Sequence, residues 1–333
     1  MIKSVGNLIK RGVHKGDVLR IRSVDEILST LDADGTVDGL LFMPEMLQYA
    51  GREVRVEASA HKTCDGAAGI RKMDKTVHLE GLRCDGSAHG GCQAACKLFW
   101  REEWLRPASE PQPAPSGTTD EAAQAILMPN TRRTNDSKES VYRCQATDVR
   151  RASRPLSLAD PRQYVRDLTS GNITIRVFLV GLAAWAFKRY QLLSQHVMPR
   201  RLRIQGGKPY PFYQGTGTGA RTPVVDVAPG QLVEIRRKDE IMPTLSPENR
   251  NRKLWFDPEM VPHCGKRAPV NRHVQQIIDE STGKMIKLSD CVVLDNVGCQ
   301  GIYHRFCPRE LDIYWRSAWL RTLNGKDDNQ LTV

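Results

Sequence analysis

Two short runs carry the residue types that could do chemistry. The first, CDGSAHGGCQAAC from Cys84 to Cys96, gathers three thiols and an imidazole on a glycine-bearing loop. The second, CQGIYHRFC from Cys299 to Cys307, keeps the same order: a Cys, four residues, a His, two residues and a Cys, with glycine two places after the first Cys. Soft thiolates and an imidazole meeting on a tight turn suit tetrahedral Zn²⁺, whose donors sit about 2.0 to 2.3 Å from the metal. Cys84, His89 and Cys92 are therefore expected as ligands of one site, and Cys299, His304 and Cys307 as ligands of another. For the fourth ligand the first site has Cys96 and Cys64 as candidates, and the second has Cys264 and Cys291. Cys264 aligns with Ala50 and Cys96 with Leu311, so the two sites would draw that ligand from different places. This is acceptable, because a metal requires only that its donors meet in space.

Up to two zinc sites are expected, structural rather than catalytic. A catalytic zinc needs an open position and a base nearby; His78 and Glu80 are near in sequence, but Val293 and Asp295 replace them in the second run. The competing readings are buried free cysteines acting as small hydrophobes and an iron–sulfur cluster on Cys64, Cys84, Cys92 and Cys96. The cluster ranks below zinc because the second run keeps fewer clustered cysteines. Cys144 stands alone in its stretch, as a further ligand, a nucleophile or neither.

The elements around these runs also repeat. Gly16, Asp25, Glu26, Ile27, Leu31, Phe42, Pro44, Glu45, Met46 and Gly51 return 214 positions later, from Gly230 to Gly265. Cys84, Gly86, His89, Cys92, Trp100, Trp104, Leu105 and Arg106 return 215 later, as Cys299 to Arg321, so a one-residue indel falls between about Gly69 and Val77. A period this long implies a duplicated domain rather than a solenoid unit of about 20 to 50 residues. Asp17 to Arg22, Glu53 to Glu57 and Val77 to Glu80 alternate apolar and polar residues, as half-buried strands do. Ser23 with Asp25 and Glu26 opens a short helix through Leu31. Trp100 and Trp104, and Trp315 and Trp319, fall at helical spacing after the metal runs, with Pro308 at a helix start. The expected class is α+β: two small β-barrel-like modules, each closed by a Trp-bearing helix whose rings are core.

The chain has 333 residues and a formal net charge of +11. The expected organisation is a first metal-binding module over 1–106, a disordered linker over 107–140, a helical insert and loop over 141–222, a second module over 223–322 and a disordered tail over 323–333. The linker assignment rests on Pro107, Pro111, Pro113 and Pro115. Within the insert, Val177 to Phe187 (VFLVGLAAWAF) is too short to span a bilayer, which takes about 20 residues. It is a buried helix or one lying in a membrane surface, with no transmembrane span. Nine cysteines, an odd number, and a first ten residues without an apolar run suggest reduced thiols in a cytoplasm. Asp32 to Gly35 lacks the glutamate of a calcium loop and reads as a solvated turn.

The phrases HLEGLRCDGSAHGGCQAAC, FWREEWL, GLLFMPEMLQYAG, KLWFDPEMVPHCGK and YWRSAWL resemble an uncharacterised group of bacterial cysteine-rich proteins with a duplicated metal-binding module. The resemblance implies metal binding and no particular activity; in such proteins the position of Ala50 is similar to a cysteine, as Cys264 is in the second module. The barrel pattern is similar to the Src-homology-three class, which implies nothing about function. The expected function is a zinc-stabilised tandem binding or scaffold protein with a protein or nucleic-acid partner. The alternatives are a metal-dependent or redox enzyme or accessory factor of a biosynthetic pathway, and a nucleic-acid-binding protein using Arg20, Arg22, Arg55, Arg236 and Arg237. Peripheral membrane contact through 177–187 would add a third kind of partner.

Overall fold

The structure is a computed structural model and describes residues 12–65, 69–111, 117–208 and 210–323. The first ten residues, Pro113, Pro115 and all but the first residue of the expected tail lie outside these. The chain forms two compact units. Unit 1 runs to Thr174 and includes Gln276–Lys287 and Phe306–Glu310; unit 2 takes Ile175–Gln275, Leu288–Arg305 and the chain from Leu311.

In unit 1, Leu19 and Ile21 alternate inward along β1 (Val18–Ile21). Ser23 then caps α1 (Val24–Leu28): its hydroxyl accepts the Glu26 amide at 3.4 Å, and Glu26 accepts the Ser23 amide at 2.9 Å. This reciprocal pair satisfies two amides the first turn would leave free. A two-residue hairpin, β2 (Thr36–Val37) and β3 (Leu40–Leu41), leads to a 3₁₀ turn over Pro44–Tyr49 and β4 (Glu53–Ser59). After β5 (Lys62–Asp65) and β6 (Gly69–Lys72) come β7 (Thr76–Leu79), β8 (Trp100–Arg101) and β9 (Leu105–Pro107). The main sheet is antiparallel in the order β8-β7-β4-β1-β9. The rest of unit 1 holds α2 (Asp120–Leu127), the pair β10 (Arg132–Thr134) and β11 (Ser140–Tyr142), β12 (Arg154–Pro155) beside β6, and α3 (Arg162–Thr169).

Unit 2 begins with α4 (Ile175–Val197), followed by β13 (Leu232–Ile235), α5 (Lys238–Ile241), β14 (Arg250–Asn251), β15 (Leu254–Trp255) and a 3₁₀ turn over Pro258–His263. β16 (Arg267–Ile278), β17 (Met285–Leu294), β18 (Trp315–Arg316) and β19 (Leu320–Thr322) complete it, the tip of the β16–β17 hairpin counting with unit 1. Its sheet has the order β18-β17-β16-β13-β19. The registers of the two sheets correspond. Val18 faces Arg55, and 214 residues later Leu232 faces Pro269; Val77 faces Trp100, and 215 residues later Val292 faces Trp315.

The protein is thus α+β, with several antiparallel sheets. Two expectations about the modules fail. Among the described residues no closed barrel forms, since both main sheets end on edge strands. The four Trp residues expected on closing helices lie on none: Trp100 and Trp315 are in strands, and Trp104 and Trp319 are in 3₁₀ turns. Ala95 (φ 46°) and Glu310 (φ 43°), 215 residues apart, take left-handed backbone, which ends any helix between the metal run and the Trp segment. The rings are nevertheless core, fully buried against Phe42 in unit 1 and Phe256 in unit 2.

The stretch expected as a disordered linker contains α2, with Thr119 capping it at the Ala122 amide (3.3 Å), and β10, whose partner β11 starts at the linker's last residue. In the insert the helix extends ten residues beyond Phe187, to Val197. Among the described residues no helix is long and apolar enough to cross a membrane. Asp32 forms the expected polar turn, accepting the amides of Asp34 and Thr36 at 3.0 and 2.8 Å.

Candidate metal centres

The 3₁₀ turn after β3 carries Glu45 into the interior, where it is buried. The loop from Cys84 folds back over it. Gly86 makes this possible: its φ is +73°, and a Cβ there would lie 2.1 Å from the Cys92 carbonyl oxygen. The amides of His89 and Gly91 both donate to the Gly86 carbonyl at 3.0 Å, and Cys84 donates its amide to Cys96 at 2.9 Å. One donor atom each from Glu45, Cys84 and His89 then lies within 4.8 Å of the others.

Unit 2 builds the same object. The amide of His304 donates to Gly301 at 3.0 Å and that of Cys299 to Leu311 at 3.0 Å, and Glu259, Cys299 and His304 converge within 4.8 Å. Two Cys/His/Glu groups could therefore hold a metal ion, and among the described residues these are the groups of that kind.

The surroundings suit a metal. His89 Nε2 donates to the Arg143 carbonyl oxygen at 2.9 Å, and the opposite ring nitrogen, Nδ1, faces Glu45 Oε1 at 2.5 Å, on the side of the other donors. An imidazole that ligates through one nitrogen while the other donates to an oxygen is the usual outer-shell arrangement. Glu45 Oε1 also accepts the Ala88 amide at 3.1 Å, while Oε2 is buried without a protein partner. Such an orphaned carboxylate oxygen calls for a cation or a water. In unit 2 Asp257 replaces the carbonyl, both its oxygens lying 3.0 Å from His304 Nε2. Glu259 accepts the Tyr303 and Gln300 amides at 2.5 and 3.2 Å, yet burial still holds its carboxyl above the usual range.

The other expected ligands are not members of the two triads. Cys307 belongs to unit 1, where its sulfur accepts the Cys64 amide at 3.1 Å. Cys264 donates to the Met260 carbonyl at 3.7 Å and its thiol is pushed up to about 11 by burial. Cys291 accepts from Arg316 at 3.3 Å. Cys92, Cys96 and Cys144 line a cavity of about 40 Å³ with Cys84 and His89. Glu45 and Glu259 were visible in the sequence only as members of a repeated PEM turn.

Unit 2 also contains a pocket of about 500 Å³, walled by Val180, Phe187, Tyr210 and Tyr303 and reaching Glu259 and His263. The arginines expected to present a basic face each meet acid: Arg20 pairs with Glu53 (3.3 Å), Arg22 with Glu26 (3.4 Å), Arg55 with Glu80 (3.8 Å), and Arg236 and Arg237 with Glu240 (3.5 and 3.8 Å). Comparison with protein-family models, with curated proteins and with solved structures returns no match.

Proposed function

We propose that this is a tandem metal-binding protein, descended from a duplicated module, whose sites staple two small sheets into a scaffold for a binding partner. The observation that carries the reading is the recurrence of the three donors: Glu45, Cys84 and His89 reappear as Glu259, Cys299 and His304, again within 4.8 Å. Chance placement of polar groups would not preserve both the donor types and the strand register around them. In unit 2 the mixed sulfur, nitrogen and oxygen set favours Zn²⁺. Glu259, Cys299 and His304 would hold the ion there, and Asp257 would fix the imidazole. A bound zinc would join the 3₁₀ turn to the knuckle loop, stabilising a small core by binding energy that the unfolded chain lacks.

A metalloenzyme is the second reading, favoured by one observation. Three protein donors leave a position for an exchangeable ligand, and a pocket of about 500 Å³, mostly apolar and aromatic, reaches Glu259. Elemental analysis and cobalt substitution test both readings. We expect zinc in the intact protein, with the unit 2 zinc lost in Cys299→Ser and Glu259→Gln. A cobalt spectrum unchanged by azide supports the closed scaffold site, and one that shifts supports the enzyme. Absence of metal from folded protein overturns both.

A further inference from the structure

Helix α4 of unit 2 is built inside out. It buries Gly181, Gln191 and Ser194, while Ile175, Leu179, Leu182, Tyr190, Leu193 and Val197 are exposed. A helix on a globular core does the reverse, turning its apolar stripe inward. The six exposed residues recur at spacings of three, four and eight. At 3.6 residues per turn these keep them on one side, along about 34 Å of helix.

The opposite side fixes this orientation. Phe187 packs edge-on against Tyr210 and Phe212 at 5.8 and 5.9 Å. Gln191 accepts the Tyr210 amide at 2.6 Å and donates to the Lys208 carbonyl at 2.9 Å. The stripe cannot roll inward without breaking these contacts. Leu193 and Val197 stand 63 and 72% exposed, and Leu202, in the 3₁₀ turn over Arg200–Leu202, 69%. Contiguous exposed apolar surface marks an interaction site.

Charge decides what covers it. Between Asp167 and Asp226 the sequence has no Asp or Glu and eight Arg and Lys. Among the described residues, Arg176, Lys188, Arg189, Arg200, Arg201 and Arg203 form no ion pair, whereas the strand arginines each meet acid. Arg176 and Arg189 border the stripe on either side, and Arg189 lies over the exposed Trp185 ring at 5.7 Å.

We propose that this face is a docking surface for an anionic lipid bilayer, with α4 lying in the plane of the interface. The leucines and Val197 would enter the acyl boundary while the arginines meet lipid phosphates. Trp185 and Tyr190, apolar rings with a polar edge, suit the headgroup level. A second copy of the chain would cover the stripe but bring two cationic helices together. Nucleic acid would meet the arginines but leave the stripe in water. An anionic bilayer satisfies both. Among the described residues no helix is long and apolar enough to cross a membrane, so α4 lies along the surface. The exposed stripe reaches well past the 177–187 segment that the sequence suggests, and Phe187 faces away from it. None of these residues belongs to either metal triad, so the surface stands apart from the metal reading.

The test is cosedimentation of the full chain with vesicles of equal parts phosphatidylglycerol and phosphatidylcholine, beside vesicles of phosphatidylcholine alone. We expect binding to the anionic vesicles about tenfold tighter or more, weakening as salt rises. Leu193→Glu with Val197→Glu, and separately Arg200→Gln with Arg201→Gln, should each weaken it about tenfold or more. Tryptophan emission should shift to the blue on adding anionic vesicles, and Trp185→Phe should remove that shift. Circular dichroism and urea midpoints serve as fold controls; should the glutamate pair unfold the chain, the arginine pair and Trp185→Phe decide. No binding to anionic vesicles, or full binding by the folded variants, overturns the proposal. So does a dimer that the glutamate pair disrupts and that binds no vesicle, which would give the stripe to a second copy. Salt-dependent binding to duplex DNA without vesicle binding overturns it as well. Zinc per chain, measured on the same protein, judges the metal reading separately.

Discussion

His89 places its Nδ1 2.5 Å from Glu45 Oε1, with both side chains almost fully buried. Removing one member of such a pair strands the other without solvent, and breaking buried pairs typically costs about 3 to 5 kcal/mol. Glu45→Ala should therefore destabilise unit 1 by about 3 kcal/mol or more, with His89→Ala similar. The double variant should show a coupling of about 1 to 3 kcal/mol. Urea unfolding monitored by tryptophan fluorescence measures this, and strict additivity would mean that the two residues act independently.

The indoles should dominate each core. Trp104 lies 5.1 Å from Phe42 and donates Nε1 to Thr30 at 3.2 Å; Trp319 lies 5.5 Å from Phe256 and donates to Thr244 at 2.9 Å. Trp104→Ala and Trp319→Ala should each cost about 3 to 5 kcal/mol through the cavity left behind. Thr30→Val and Thr244→Val should cost about 1 kcal/mol each, the loss of one hydrogen bond. Denaturation midpoints for the four variants check both magnitudes; a threonine effect as large as the tryptophan effect would contradict the core reading.

Local signals in the sequence carried over well, and closure did not. Ser23 with Glu26 encodes its capping pair within four residues, and Leu19 and Ile21 point inward because strand alternation fixes a face. Alternation does not say whether edge strands meet, so an open sheet and a barrel look alike. The spacing of Trp100 and Trp104 fits a helix or a strand running into a 3₁₀ turn, and the left-handed Ala95 that decides between them is not a glycine. Thr119-Asp120-Glu121 is a helix start, obscured by the prolines before it. Cys84 and His89 share a loop, but Glu45 joins them from some forty positions away, and Cys144 reaches the cavity from farther still. Such convergence is a property of the folded chain.

His78 offers a pH test. It is fully buried, bonded through Nδ1 to the Leu98 carbonyl at 2.9 Å, and burial lowers its pKa to about 3. The unfolded chain protonates it near 6.5. Between these values the unfolded state binds one more proton, so the stability this residue contributes is fully present above about 6.5 and is lost as pH falls toward 3. The slope is about 1.4 kcal/mol per pH unit at most. Denaturant unfolding between pH 4 and 6.5 should show a shallower dependence in His78→Phe than in the parent protein; equal slopes would show that His78 does not set the acid limit.

Cys299 and Cys307 bracket one run in the sequence and separate in the structure. Cys299 converges with Glu259 and His304 in unit 2, while Cys307 accepts the Cys64 amide in unit 1. Spacing alone would make both zinc ligands with equal effect. If the proposed zinc is held by the unit 2 triad, Cys299→Ser should abolish it and Cys307→Ser should leave it in place. The Cys307 variant should lose only about 1 kcal/mol, since a serine oxygen can still accept the Cys64 amide. Zinc per chain for the two variants, with urea midpoints, decides the matter: equal zinc loss from both would return Cys307 to the second site, and retention in Cys299→Ser would remove the thiol from it.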